Sequence, residues 1–130
     1  MYKIIVWFCI TAGLILLALP SHLDSYNAPV EPVKPPVKEY AEQRVNEVFG
    51  GGWAYFDDLI TRESRWKSNA QNPTSTAYGL GQFLNSTWKT VGCVKTNDPY
   101  KQIDCTIAYV EARYGYPQKA IEHHNRKNWY

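Results

Sequence analysis

The residue with the clearest potential for chemistry is Glu63, an acid in an otherwise apolar helical pattern. Trp53, Phe56, Ile60 and Glu63 recur at offsets of 3, 4 and 3, which predicts that they share one face of a helix. A carboxyl group at the end of a buried stripe is unusual, because its charged form is poorly solvated there. Burial would raise its pKa and suit it to general acid catalysis near neutral pH. The alternative is a solvated acid paired with Arg62, Arg65 or Lys67.

Further stretches accompany this acid. Residues 59–66 read LITRESRW, residues 69–83 read NAQNPTSTAYGLGQF, and Thr87-Trp88 follow. Together they resemble the soluble-lytic-transglycosylase branch of the lysozyme-like superfamily. Its members have a Glu-Ser pair ending a helix, then an Ala-x-Gly-Leu-x-Gln-Phe/Leu segment, then a Thr-Trp helix start. RYGYP at 113–117 and NWY at 128–130 resemble compact members from actinobacterial and phage wall enzymes. The resemblance covers roughly residues 50–130.

The resemblance implies a role for several positions. Glu63 takes the catalytic acid/base role, and Ser64 matches a neighbour that orients the carboxylate or contacts substrate. The segment 79–82 would line the cleft, with small residues that let the glycan approach the backbone. The family usually has a Tyr-Asn pair late in the domain, and here His124 stands where tyrosine is common. The candidate substrate-binding residues are Ser64, Tyr78, Gly79, Gln82, His124 and Asn125.

The substrate that the resemblance implies is a peptidoglycan glycan strand. Glu63 would protonate the leaving oxygen of the MurNAc-GlcNAc β-1,4 bond, then accept the proton of the 6-hydroxyl as a 1,6-anhydro ring closes. Ordinary glycosidases add a second carboxylate roughly 5 to 9 Å away. Asp57 and Asp58 lie about 120° and 140° around the helix from Glu63, so neither is expected to face the same cleft. A distant partner such as Asp98 or Asp104 stays open.

Three other functions fit these residues less well. The first is a hydrolytic lysozyme that cleaves the same bond with water. The second is a non-catalytic peptidoglycan-binding or structural module. The third is a membrane-anchored interaction protein that uses its proline-rich segment.

The pattern of apolar residues and helix signals predicts a mostly α domain of four or five short helices. Residues 39–49 form a plausible helix before three glycines, and Ser86 is the predicted N-cap of a helix that Gly92 closes. Asp98-Pro99 is a stronger start signal, for a helix that runs to Gly115. Its buried stripe is predicted to be Ile103, Ile107, Val110 and Tyr114, and a last helix is expected from Pro117 to about Arg126.

Cys93 and Cys105 are a candidate disulfide. In an exported domain two thiols can pair, and closing a loop of this size could stabilise the fold by about 3 kcal/mol. The alternative is two free buried thiols. Neither a metal nor a cofactor is expected, because these cysteines and the adjacent His123-His124 lack the usual ligand spacing.

The first part of the chain has the features of a targeting segment. Residues 4–19 form an uncharged apolar run after Lys3, so residues 1–20 are predicted to be a signal anchor or signal peptide. Residues 21–38 contain four prolines and favour an extended linker, which leaves residues 39–130 as the lysozyme-like domain. The protein is therefore expected to be exported. It would be membrane-anchored and face the periplasm or cell wall, or be secreted if the leader is cleaved, and a virion-associated form also fits.

Composition narrows the choice of partner. The net charge is +2 with no basic block, so no nucleic-acid partner is expected. Aromatic residues make up 15% of the chain, which suits both a compact core and stacking against sugar rings. Tyr78, Trp129 and Tyr130 are candidates for such stacking.

Overall fold

The computed structural model describes residues 32–130, which form five helices with a long connection, residues 65–84, between the second and the third. The helices are α1 (Val37–Phe49), α2 (Trp53–Ser64), α3 (Asn85–Thr90), α4 (Pro99–Tyr114) and α5 (Pro117–Lys127). Within this range the only β-type pairings are two isolated bridges, Gln71 with Tyr78 and Tyr78 with Phe83. The prediction of a small, mostly α, lysozyme-like domain is confirmed.

The core lies where α4 crosses the other helices. Ile103, Ile107 and Val110 of α4 are buried, as the stripe predicts. They form one cluster with the buried faces of the neighbouring helices, which comprise Ala41, Val45, Phe56, Leu59, Ile60, Ala120 and Ile121. Burying each large aliphatic side chain contributes roughly 1.5–3 kcal/mol. This cluster fixes α2 and α5, the two helices that carry the candidate site residues.

Helix α4 begins and ends at the predicted signals. The side chain of Asp98 accepts hydrogen bonds from the main-chain N–H of Tyr100 (2.9 Å) and Lys101 (3.4 Å), and Pro99 occupies the first turn. Gly115 ends the helix with φ +73°, a left-handed conformation that glycine adopts readily. Both ends therefore follow from local sequence.

The predicted N-cap of α3 is wrong. The helix begins at Asn85 with Leu84 as its N-cap, and the main-chain N–H of Asn85 donates to Oγ1 of Thr76, from the preceding loop, at 3.2 Å. Ser86 lies inside the first turn, and its main-chain oxygen accepts a hydrogen bond from the Thr90 hydroxyl at 3.0 Å. Tertiary packing of Trp88, which is buried beside Phe83, sets the position of this short helix.

Helix α1 begins at Val37, two residues before the predicted start at 39. The main-chain oxygen of Pro35 accepts a hydrogen bond from the Tyr100 hydroxyl (2.9 Å), and the Lys34 ammonium lies 4.6 Å from the centre of the same ring. The last residues of the predicted linker thus contact the domain.

No helix between residues 32 and 130 is long and apolar enough to span a membrane. The predicted membrane segment, residues 4–19, lies outside the described residues.

A second, aromatic cluster lies between α3 and α4. It contains Phe83, Trp88 and Tyr109, with Cys105 beside them. Cys93 is joined to Cys105 across 12 residues of sequence, with their Cα atoms 6.2 Å apart. That separation is within the range that disulfides favour. The predicted pair therefore connects the segment after α3 to the middle of α4.

Gln102 of α4 organises the loops around the core. It is only 1% exposed, and its Oε1 accepts a hydrogen bond from the main-chain N–H of Leu80 at 2.9 Å. Its Nε2 donates to the main-chain oxygens of Ser68 (2.9 Å) and Thr96 (2.8 Å). One buried amide thus satisfies backbone groups from three separate segments, of which the N–H of Leu80 is in the buried core.

The variant Gln102→Leu tests this role. It leaves three backbone groups without their partner, so the free energy of unfolding should fall by at least about 2 kcal/mol. Gln43→Leu, on the exposed face of α1, is the matched control and should change stability by less than about 0.5 kcal/mol. Urea denaturation followed by circular dichroism measures both. Equal losses in the two variants would contradict the assigned role of Gln102.

Candidate active site

A cleft of about 250 Å³ lies where α2, the loop before α3 and the last described residues meet. Glu63 is its one carboxylate among the residues that the structure describes. The rest of the wall consists of Gln82, Phe83, Leu84, Thr87, Asn128, Trp129 and Tyr130. The cleft thus combines a single acid with aromatic rings and amide groups, a composition suited to a saccharide.

Glu63 is positioned by the buried face of α2. Ile60 and Phe56, one and two turns earlier, are fully buried, so the same register turns Glu63 toward the interior. Its side chain is 16% exposed. Burial disfavours the charged form and raises the pKa of Glu63 from 4.5 to about 7. A carboxyl group with this pKa can both give and take a proton near neutral pH.

His124 of α5 lies against this carboxyl group. Its Nε2 is 3.1 Å from Oε1 of Glu63, and its side chain is also 16% exposed. The pKa of His124 is lowered, first by burial and then by the positive charge of Arg62. The imidazole is therefore mainly neutral at pH 7, so the contact joins a neutral ring to a carboxyl group whose pKa is about 7.

A second bridge between α2 and α5 runs beside the first. Arg62 donates from Nη1 to Oδ1 of Asn125 at 2.7 Å. The same guanidinium pairs with both oxygens of Asp58, one turn earlier on α2, at 2.8 and 3.0 Å. Because Asn125 follows His124 in the chain, this bridge restricts the region of α5 that faces Glu63.

The 79–83 segment forms a tight turn in the connection between α2 and α3. Tyr78 and Phe83 exchange main-chain hydrogen bonds of 3.2 Å, and Gln82 has φ +48°, a left-handed conformation uncommon for residues other than glycine. Nε2 of Gln82 donates to the main-chain oxygens of Ala70 (3.0 Å) and Gly79 (2.9 Å). Both amide hydrogens are thereby engaged, so Oε1 is the atom of Gln82 best suited to receive a donor from a ligand.

The two glycines of this segment are required by packing within the protein. A Cβ atom at Gly79 would lie 2.8 Å from the side chain of Gln102. At Gly81 it would lie 2.7 Å from Oγ1 of Thr106 and 2.8 Å from the Tyr130 hydroxyl. Close approach of the segment to α4 and to Tyr130 therefore favours a residue without a side chain at both positions, and Gly79 also has φ +81°.

The remaining predicted site residues lie away from the cleft lining. Ser64 is buried, and its hydroxyl donates to the main-chain oxygen of Ile60 at 3.2 Å. The Tyr78 hydroxyl donates to Oδ1 of Asn97 at 2.7 Å. Asn125 is exposed and is engaged by Arg62. The structure brings together Glu63, His124 and Gln82, whereas the other candidates support or flank them.

The structural role of Tyr130 was missed by the sequence reasoning, which had considered it only for sugar stacking. Its hydroxyl donates to the main-chain oxygen of Gly81 at 2.8 Å, and its ring packs against Phe83 and Tyr109. Burial and the nearby charge of Glu63 raise the pKa of this phenol. No local spacing signals these contacts, because they join the 79–83 segment to a residue almost fifty positions later.

Trp129 forms part of the rim. Trp129 is 48% exposed, and the Arg113 guanidinium lies 5.0 Å from the centre of its ring. The His123 ring packs edge-on at 4.5 Å. An exposed indole held by two neighbours presents a pre-oriented apolar surface at the mouth of the cleft.

The other acids considered from sequence are engaged elsewhere. Asp57 accepts hydrogen bonds from Nε1 of Trp66 (2.7 Å) and pairs with Lys38 (2.9 Å). Asp98 caps α4. Asp104 accepts hydrogen bonds from the Tyr40 hydroxyl and from Arg44 on α1. None of these acids lines the cleft around Glu63.

The raised pKa of Glu63 predicts a pH-dependent stability. Between pH 4.5 and 7 the folded chain keeps a proton that the unfolded chain has lost, so stability falls as the pH rises through this window. The free energy of unfolding falls by about 3 kcal/mol across this window, and the loss stays constant above pH 7. In Glu63→Gln this dependence is absent, so the stability of the variant relative to wild type should grow across the window. Denaturation curves at several pH values measure the difference, and parallel pH profiles would contradict the burial argument.

Comparison with known proteins identifies the family. Residues 41–126 match the family described as the Transglycosylase SLT domain. The matched range contains Glu63, Gln82, His124 and Asn125. Neither the curated proteins nor the solved structures give a significant match. The family match extends over more than half of the chain and agrees with the helical fold. The chain therefore belongs to the transglycosylase SLT domain family, whose members have a lytic-transglycosylase type of function directed at peptidoglycan.

Proposed function

We propose that this domain cleaves the β-1,4 bond between N-acetylmuramic acid and N-acetylglucosamine, with Glu63 as acid and then base, and leaves a 1,6-anhydro end. The observation that carries the proposal is a single buried carboxyl group, with a pKa of about 7, in a cleft lined by aromatic and amide side chains. The family membership supports peptidoglycan as the substrate.

The pKa of Glu63 supports the acid step. At pH 7 a group with a pKa of about 7 is half protonated, whereas one with the ordinary value of 4.5 is protonated in only about 1 molecule in 300. Glu63 would transfer its proton to the leaving oxygen as the C1–O bond breaks, and the bonding electrons would go to that oxygen. The 2-acetamido group of the substrate would stabilise the cationic C1.

The lack of a second carboxylate in the described part of the cleft supports the anhydro product. Most retaining or inverting glycosidases use another acid as nucleophile or to activate water. In the proposed reaction the substrate's own 6-hydroxyl attacks C1, and the Glu63 carboxylate accepts the hydroxyl proton. Glu63 is then protonated again, and no water is consumed.

The cleft wall suggests how the sugar is held. Oε1 of Gln82 suits the N–H of an acetamido group or a sugar hydroxyl, since the other half of the amide is engaged by backbone. The exposed indole of Trp129 suits the apolar face of a pyranose. These contacts would hold the glycan in the cleft that contains the acid.

The decisive experiment is product analysis with Glu63→Gln. Removing the proton donor should lower the rate of glycan cleavage by roughly 10²-fold or more. Glu111→Gln, the same change at an exposed position of α4, is the matched control and should retain wild-type activity. Mass spectrometry of digested peptidoglycan should show wild-type ends that are lighter than hydrolysed ends by the mass of one water molecule.

The same experiment separates the alternatives. Hydrolysed ends would identify a lysozyme that acts on the same bond. Binding to peptidoglycan without cleavage, unchanged in Glu63→Gln, would identify a non-catalytic module and overturn the proposal.

We also propose that residues 4–19 direct export and that the proline-rich segment holds the domain beside the wall. The apolar run is uncharged, and it precedes a stretch that favours extended structure. An exported domain is also the setting in which Cys93 and Cys105 would remain paired.

Fractionation of cells that express the full chain tests the tether. The protein should be found in the membrane fraction, accessible to protease from outside the cytoplasmic membrane, and replacing two apolar residues of the run by lysine should abolish this location. N-terminal sequencing of the mature protein decides between a retained anchor and a cleaved leader. Recovery of the unchanged full chain in the cytosol would overturn the proposal.

A further inference from the structure

The contact between His124 and Glu63 has no role in the steps above. Nε2 of the imidazole is 3.1 Å from Oε1 of the carboxyl group, and both side chains are largely buried. Because Glu63 also lines the cleft, the carboxyl oxygen that is not in this contact, Oε2, is the one available to a substrate. A neighbour that approaches only one of two chemically equivalent oxygens makes them different.

The bridge from Arg62 to Asn125 limits the movement of this histidine. Arg62 and Glu63 are consecutive on α2, and they contact Asn125 and His124, which are consecutive on α5. The start of α5 is held in the core by the buried Ala120 and Ile121. The imidazole is therefore fixed against Glu63 by packing on one side and by a charged hydrogen bond on the other.

We propose that His124 is a positioning residue that donates a hydrogen bond from Nε2 to Oε1 of Glu63 and so directs the reactive proton to Oε2. This inference rests on the proposed function of Glu63. It assigns His124 to the protein's own acid, in place of the substrate contact that its sequence position implies.

The proposed contact serves both steps of the reaction. With Oε1 occupied by an N–H donor, the acidic proton resides on Oε2 and can pass to the leaving oxygen. The carboxylate that results keeps the Nε2–H hydrogen bond, which is stronger to a charged acceptor. Oε2 then receives the proton of the 6-hydroxyl as the anhydro ring closes, and His124 keeps its own proton throughout.

The charges around the pair define its pH dependence. Arg62 and Asp58 act on His124 from α2, His123 acts from α5, and Tyr130 lies near Glu63. Because an N–H donor favours the charged carboxylate, its removal should raise the pKa of Glu63 further. The alkaline limb of the kcat profile should then move to higher pH.

The test compares His124→Phe and His124→Gln in the full chain. In His124→Phe, kcat should fall about tenfold or more with little change in KM, and both the alkaline limb and the Glu63 carboxyl titration, followed by ¹³C NMR, should move to higher pH. His124→Gln keeps an N–H donor and should recover part of kcat. Gln118→Phe, which places the same ring at an exposed position of α5, is the matched control and should leave the Glu63 titration unchanged.

The ¹⁵N shift of His124 Nε2 in the wild-type chain supplies a second readout and should show a protonated nitrogen. An unprotonated Nε2, or a Glu63 titration that moves to lower pH in His124→Phe, would overturn the proposal. A rise in KM alone would assign His124 to substrate binding and also overturn it. Since the NMR readouts need no catalysis, they decide the role of His124 even if the wild-type chain cleaves no glycan, the result that would refute the proposed function instead.

Discussion

Removing one carboxyl group from water is the constraint on which this small domain depends. Glu63 continues an apolar stripe on α2, and α5 covers it through His124. Burial removes the solvation of the Glu63 anion and therefore favours the uncharged carboxyl group. At neutral pH this lost solvation lowers the free energy of unfolding. The fold tolerates this cost because α2, α4 and α5 share a continuous buried cluster. The site is therefore a feature of the packing as well as of one residue.

The wall opposite α2 depends on contacts that are remote in sequence. Gln102 of α4 holds Leu80, and the Tyr130 hydroxyl holds Gly81. Both hydrogen bonds are made within the protein, and together they fix the backbone from which Gln82 reaches the cleft. The two glycines are needed for the same reason, since larger residues would collide with these supports. Binding geometry thus rests partly on internal hydrogen bonds, and Gln102, which makes one of them, is not among the residues that line the cleft.

Sequence reasoning succeeded where the determinants are local. Asp98-Pro99 and Gly115 define α4, and the offsets from Trp53 to Glu63 define the buried face of α2. It failed at Ser86, where packing of Trp88 overrides a capping preference. It also had no means of finding Gln102 as a hub, because a glutamine in a helix is ordinarily solvent-exposed. The family resemblance indicated Glu63 and Gln82, but the physical reason for the glycines required the three-dimensional contacts.

Direct titration of the Glu63 side chain addresses the central claim most closely. The carboxyl carbon of a ¹³C-labelled wild-type chain reports its protonation across pH 4 to 9, without dependence on substrate or product. A midpoint near 7 is the result that a desolvated acid requires. A midpoint near the ordinary value of 4.5 would mean that water reaches the carboxylate freely, and the account of Glu63 as a proton donor at neutral pH would be wrong.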